Sequence, residues 1–374
     1  MSKIIFVKKR IGEEINKINK MSKPKRLFYF LIPPVVLLVL VFLFLFVKNS
    51  SEEVFNDEQS LQEENILSDD ACLNCFYRLI DGKEVPSESD ISPFLVATVI
   101  DNHPDARPAF GLSSAELVYD IPAEGGINRY LAFFAVNDEQ PNLEIGPVRS
   151  ARPYFLDIAK EYGAMLVHCG GSPEALARIS KEKLLDFNEF YNGDYFRRYQ
   201  DYLAPHNVLA NFGLIKEYLK DRNYENSKFE SWQFKNDKDL PSINLALSNF
   251  EIDISNGQKQ YDISWDYDLN ANLYLKDLAG KKHLDNNGDQ ISASNVILQF
   301  VETEILDSEL RLKIKLISKN TAVICSDGVC HSGYWQKDDE NSRTRYYDEN
   351  GEEFIFNSGK TWVHFIDENT KVKY

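Results

Sequence analysis

The stretch Ser150-Ala-Arg-Pro153-Tyr-Phe-Leu-Asp-Ile-Ala-Lys-Glu-Tyr162, followed by Met165-Leu-Val-His168-Cys-Gly-Gly-Ser172-Pro173, declares a fold that mixes helix and strand. Ser150 is placed to cap a helix, Pro153 is tolerated in its first turn, and Tyr154, Phe155, Ile158 and Ala159 make one apolar face. Met165 to His168 reads as a short buried strand. Gly170-Gly171 then lead into a second helix, with Ser172 at its N-cap and Pro173 at its first helical position. Upstream, Leu95 to Ile100, Glu116 to Ile121 and Asn128 to Val136 read as strands, the first running into the loop Asp101-Asn102-His103-Pro104. Downstream, Val208 to Lys220 reads as another helix. Residues 91–225 therefore read as an α/β-type mixed domain.

From about Ile243 the texture changes. Tyr261 to Tyr267, Asn295 to Val301, Arg311 to Ile317 and Thr321 to Cys325 alternate with the period of strands. The turn signals Asn256-Gly257, Asn287-Gly288, Asp327-Gly328 and Asn350-Gly351 separate them. Helical signal nearly vanishes, so residues 243–374 read as a mainly antiparallel β domain, with 226–242 as a polar linker. The fold class expected for the whole is α+β.

The N-terminal part sets the address. Leu27 to Val47 is an almost unbroken run of Leu, Val, Phe and Ile, long enough to cross the roughly 30 Å hydrocarbon core. Residues 1–26 before it carry nine Lys and Arg; Lys48 and then an acidic stretch follow. That asymmetry places the tail 1–26 in the cytoplasm and the rest outside, with 27–47 as a single transmembrane helix. A cleaved signal peptide is the rival reading, but the run is long for one and Phe46-Val47-Lys48-Asn49 offers no small-residue cleavage site. Residues 48–90 read as an acidic flexible spacer.

Composition narrows the partners. Of 42 basic and 58 acidic side chains, residues 48–374 keep 33 and 56, a net charge of −23. Nucleic acid is a poor fit to such a surface, because its binding is driven by phosphate neutralisation. An anionic ligand needs a local basic site. The five cysteines belong to an oxidising compartment. Asp327-Gly328 is a strong two-residue hairpin turn that sets Cys325 opposite Cys330, close enough for a disulfide. Cys72 and Cys75 read as a local disulfide, a redox pair, or half of a zinc knuckle with Cys325 and Cys330; Cys169 is left over as a small buried residue.

Three constellations carry chemistry. In Gly146-Pro147-Val148-Arg149-Ser150-Ala151-Arg152-Pro153 two arginines flank a helix start, and arginine matches carboxylate or phosphate bidentately. His168-Cys169-Gly170-Gly171-Ser172-Pro173-Glu174 is a strand, a glycine pair and a capped helix, the outline of an anion cradle without a Walker Lys. Asp120-Ile-Pro-Ala-Glu124-Gly125-Gly126-Ile-Asn128-Arg129 sets a carboxylate, a Gly pair and an arginine before a strand. The plainer reading pairs Arg149 or Arg152 with Asp120 or Glu124 as structural ion pairs. Ser172, His206 and Asp101 suggest a triad, yet no G-x-S-x-G turn holds the serine. His103 and His206 lack the spacing of metal ligands, so no metal and no cofactor is expected. Trp335 and Trp362 read as core, or as a sugar-stacking face.

These motifs resemble the YerB-like family of bacterial envelope proteins of unknown function. The matching stretches are Val99-Ile-Asp-Asn102 with Ala106-Arg-Pro108, Glu124-Gly-Gly-Ile-Asn-Arg129, Gly146-Pro-Val-Arg-Ser-Ala-Arg152, His168-Cys-Gly-Gly-Ser172, Asn295-Val296, Gly333-Tyr-Trp-Gln-Lys337 and Gly359-Lys-Thr-Trp-Val363. The resemblance spans roughly residues 91–368 and implies a two-part domain outside the membrane, lipoprotein-like in some relatives, with no established activity. The reading is an envelope protein whose Asn102, Glu124, Arg129, Arg149, Ser150, Arg152, His168, Gly170, Gly171 and Ser172 bind an anionic small molecule or a peptidoglycan-related fragment. The alternatives are a hydrolase or transferase using Glu124 or His168, and a scaffold with no ligand site.

Overall fold

Ten strands form one sheet that draws on both halves of the sequence. A computed structural model describes residues 75–136, 142–235 and 251–374; the apolar run 27–47, the basic tail and Cys72 lie outside them. The strands named here, in chain order, are β1 (Leu95–Ile100), β2 (Leu117–Pro122), β3 (Asn128–Ala135), β4 (Glu144–Ile145), β5 (Met165–His168), β6 (Asp186–Asn188), β7 (Phe196–Arg198), β8 (Val208–Asn211), β9 (Glu251–Ser255), β10 (Ile263–Asp268), β11 (Leu273–Leu278), β12 (Asn295–Phe300), β13 (Ser318–Ser326), β14 (Val329–Lys337), β15 (Arg345–Asp348), β16 (Thr361–Ile366) and β17 (Lys371–Lys373). The central order is β15-β14-β13-β12-β16-β2-β3-β1-β5-β6. Its seam is β16 beside β2, parallel, with Thr361 opposite Leu117 and His364 opposite Asp120.

Every residue of β1, β2 and β16 is buried, because both faces of the sheet are covered. Alternation sorts the side chains into two cores. Leu95, Ala97 and Val99 face one, with Tyr119, Phe133, Val363 and Trp335. Val96 and Ile100 face the other, with Val118, Tyr130, Ala132, Leu298 and Trp362. Both tryptophans have no solvent exposure, so they are core and not a sugar-stacking face. The first core is closed by helices α1 (Pro153–Glu161) and α2 (Pro173–Glu182), through Tyr154, Phe155, Ile158, Ala175 and Ile179. The second is closed by helix α3 (Phe212–Asp221) and by the antiparallel sheet β9, β10, β11 and β17, through Ile215, Leu219, Ile263, Trp265 and Tyr274. The architecture is α+β, rich in sheet and short of helix. Among the described residues no helix is long and apolar enough to cross a membrane.

Two helix starts differ from the sequence reading. The first helix begins at Pro153, with Arg152 at its N-cap position and no side-chain cap bond. Ser150 does not cap it, because its hydroxyl donates instead to the Cys169 carbonyl at 2.9 Å. The segment read as a helix from Val208 starts as strand β8. Helix α3 begins only after Asn211, whose side chain accepts the Leu214 N–H at 3.1 Å. Ser172, by contrast, does cap α2, accepting the Ala175 N–H at 3.3 Å with Pro173 in the first turn.

The folded unit starts at Cys75, inside the stretch read as spacer, and Ile80 and Asp81 are buried in it. In the stretch read as linker, Trp232 is buried and its indole N–H donates to the Thr344 carbonyl at 2.9 Å; residues 236–250 lie outside the described set. The β13–β14 hairpin turns at Asp327-Gly328, with φ of 53° and 73°, the left-handed pair that a type I′ turn requires. Cys325 and Cys330 face each other across it at 4.0 Å between Cα atoms and are joined by a disulfide. Oxidised in this way they hold no thiolate for a zinc knuckle. Cys75 is also disulfide-bonded, and Cys169 is free.

Candidate functional site

The strand directions gather several loops at one edge of the sheet. β1 is parallel to β5, β5 to β6, β2 to β16 and β16 to β12, while β3 runs against both β1 and β2. Six strands therefore end on the same side of the sheet. Crevices outside the carboxyl ends of parallel strands are the usual ligand positions of open α/β sheets. Asp101 to His103 follow β1, Glu124 to Gly126 follow β2, Cys169 to Ser172 follow β5 and Glu189 follows β6.

Two of the loops are joined along their length. Cys169 N–H donates to the Arg149 carbonyl at 3.0 Å, Ala151 N–H to Gly170 at 3.0 Å, and Ser172 N–H to Ala151 at 3.1 Å. Gly170 adopts φ +65° and its N–H donates to Asn188 Oδ1 at 3.1 Å. The structure thus brings Arg149, Ser150 and Arg152 beside Gly170, Gly171 and Ser172. The amides of Cys169, Gly170 and Ser172 are already engaged, so this loop supports the arginine loop more than it cradles a ligand. His168 lies behind it, fully buried, with Nδ1 2.7 Å from the Gly170 carbonyl and Nε2 3.1 Å from Asp186 Oδ2.

The arginines divide into two linked groups. Glu124 is held between Arg152, through Oε1, and Arg129, whose Nη2 is 3.2 Å from Oε2. Arg152 also donates to the Ala151 carbonyl at 2.8 Å, and Arg129 reaches the Ser150 carbonyl at 3.5 Å. Arg149 Nε lies 3.2 Å from Asp101 Oδ2, and its Nη1 donates to the Pro205 carbonyl at 2.9 Å. Asp120, the other partner considered for these arginines, belongs instead to Lys276.

Electrostatics follow from the crowding. Burial lowers the Arg129 pKa, and repulsion from Arg152 and Arg149 lowers it further against the pull of Glu124. Burial raises the Glu124 carboxyl, but Arg152 and Arg129 outweigh it and hold the group below its usual range. A carboxylate so held is a weak base at neutral pH, which counts against Glu124 as a catalytic base. Burial likewise raises Asp101, and Arg149 and His206 bring it down. Asn102 is buried; its carbonyl accepts Arg107 Nε and Nη2 at 3.1 and 2.7 Å, and its Oδ1 has no hydrogen-bond partner among the described residues.

A cavity of about 290 Å³ opens beside the Glu124–Gly126 turn, lined by Pro122, Gly125, Gly126, Asn128, Thr303 and Asp367 among others; none of the three arginines lines it. Of the triad drawn from the sequence, the structure pairs Asp101 with His206 while Ser172 caps α2, and it adds His103, which the sequence did not join to them. His206 Nδ1 is 2.6 Å from Asp101 Oδ2, and the His206 ring stacks on His103 at 4.3 Å between centroids. The three residues come from segments about a hundred positions apart, so no local pattern signals the contact.

A sheet-rich α+β unit with a charged edge of loops is the class that fold and site define. Residues 82–225 match the N-terminal domain, and residues 252–363 the C-terminal domain, of a family described as protein of unknown function (DUF3048). The chain belongs to this YerB-like family. It is 28% identical over 273 residues, 72% of this chain and 80% of the relative, to YerB of Bacillus subtilis strain 168, which carries a provisional lipoprotein name. The crystal structure of the Bacillus subtilis YerB protein superposes with a TM-score of 0.69 at 24% identity, covering 80% of this chain and all of that one. That likeness speaks to the fold.

Proposed function

We propose that this is a membrane-associated, extracytoplasmic protein of the bacterial envelope that binds an anionic group at the arginine loops. One observation carries the reading: three guanidinium groups, Arg129, Arg149 and Arg152, share two carboxylates, Glu124 and Asp101, at one edge of an otherwise acidic protein. Gathering like charges is unfavourable unless an anion completes the balance; burial is the larger cause of the lowered Arg129 pKa, and repulsion from Arg152 and Arg149 adds to it. Asn102 Oδ1, without a hydrogen-bond partner among the described residues, adds a polar group able to orient a ligand. The Cys325–Cys330 disulfide suits an oxidising compartment, as does the lipoprotein name of the relative. The apolar run 27–47 with its basic flank supplies a single-pass anchor.

The ligand class that fits is a small carboxylate or phosphate, free or at the end of a cell-wall precursor or peptide. Isothermal titration calorimetry of the full chain in detergent, against inorganic phosphate, a muropeptide and a short peptide, tests this. Binding of one of them that is lost in Arg149→Gln supports the reading. No binding by folded wild type turns the account toward a scaffold.

A further inference from the structure

We propose that His103, Asp105 and His206 form a binding site for a transition-metal dication of the zinc class. One ligand atom from each lies within 4.8 Å of the others. His103 Nδ1 is 3.6 Å from Asp105 Oδ2, close to the separation that two ligands bonded at about 2.0–2.2 Å to one tetrahedral ion would have. His206 stacks on His103 at 4.3 Å with 15° between the ring planes, so the two imidazoles are neighbours, and one ring must turn about its side-chain torsions for both lone pairs to meet one ion.

What stands behind these side chains supports the site. Asp101 is 3% exposed and serves both histidines: its Oδ2 accepts the His206 Nδ1–H at 2.6 Å, and its Oδ1 accepts the His103 backbone N–H at 3.0 Å. A carboxylate on one ring nitrogen fixes the tautomer, and the Nε2 lone pair of His206 is then directed away from Asp101. For His206 this is the outer-shell support that metal-binding histidines characteristically have; for His103 Asp101 holds the backbone and not the ring. Arg149 neutralises Asp101 from another side at 3.2 Å, so Asp101 stays a support and Asp105, which is exposed, brings the negative charge to the ion. Two imidazoles and one carboxylate suit zinc, nickel or cobalt better than calcium or magnesium, which prefer all-oxygen sites. Three protein ligands leave a fourth position for water or a ligand atom. The contact that metal binding would replace is the Asp105 N–H bond to His103 Nδ1, long at 3.2 Å.

Zinc itself is the probe. The full chain, stripped with EDTA and dialysed, is titrated with Zn²⁺ by calorimetry beside Asp105→Asn and His206→Gln. One equivalent bound by the wild type, with affinity weakened by at least about tenfold in each variant, is the result expected. Asp105→Asn changes an exposed side chain, so a loss there is not a loss of fold. No zinc binding by the wild type, or binding undiminished in both variants, overturns the proposal.

Discussion

Lys276 Nζ lies 3.4 Å from Asp120 Oδ2, and neither side chain has any exposure to solvent. Lys276 belongs to the smaller sheet and Asp120 to the central one, so this pair joins the two layers. The ammonium also sits 3.9 Å over the Trp362 ring, while Asn128 Nδ2 donates to Asp120 Oδ1 at 2.8 Å. Burial pushes the Lys276 pKa down to about 8, against the attraction of Asp120. Removing one partner leaves a buried charge unmatched. Asp120→Asn should therefore cost about 3–5 kcal/mol in urea unfolding, and Asp120→Asn with Lys276→Met should recover part of it. A single variant as stable as wild type would show that the pair is not buried as described.

The same carboxylate predicts an acid limb. Burial raises Asp120, but Lys276, His364 and Asn128 bring it well below the ordinary 3.8. A depressed native pKa means stability fully present above the unfolded value and lost as pH falls below it. The urea midpoint of the wild type should therefore fall as pH drops from about 5 toward 2. Asp120→Asn should show a shallower fall, and equal slopes would remove Asp120 from the acid limb.

The hairpin disulfide closes a loop of only a few residues. Cys325→Ser with Cys330→Ser should lower stability by about 2 kcal/mol, read as a lower melting temperature. The fold should survive. Asp327 is also held by Asn272 Nδ2 at 3.0 Å and by Asn357 Nδ2 at 2.7 Å, which keep the turn in register without the bridge. Loss of folding in the double variant would contradict this.

Glu124→Gln separates binding from catalysis. Neutralising Glu124 releases Arg129 and Arg152 from their shared carboxylate, so affinity for inorganic phosphate should rise about tenfold, or roughly 1.4 kcal/mol. A base role would instead predict unchanged phosphate binding and a lost reaction.

Local structure was legible where a single residue has one good use. Ser172-Pro173 announced a capped helix, and Asp327-Gly328 announced a turn that only left-handed φ values allow. Ser150 misled because a serine before a helix has two outlets, the helix amides or a neighbouring carbonyl, and the Cys169 carbonyl took it. Asn211 did cap a helix, but three strand residues stood before it in a segment with helical periodicity. The seam between β2 and β16 was not legible, since it joins residues about 240 positions apart and no local periodicity encodes a parallel partner. Lys276 was hidden for a related reason. A lysine in an alternating strand reads as solvent-facing until the opposite sheet supplies Asp120. In the candidate site the arginine and glycine strings lie on loops that hydrogen-bond to each other, while the stacking of His206 on His103 beside Asp101 needed the fold.

Anion binding at the arginine loops is the proposed function. Thermal unfolding of the full chain with a muropeptide or inorganic phosphate, beside Arg149→Gln and Arg152→Gln, tests it most directly. Ligand at 100 times its dissociation constant should stabilise the wild type by about 2.7 kcal/mol, and the shift should vanish in both variants while they remain folded. No shift in the wild type, or the same shift in both variants, would contradict the account.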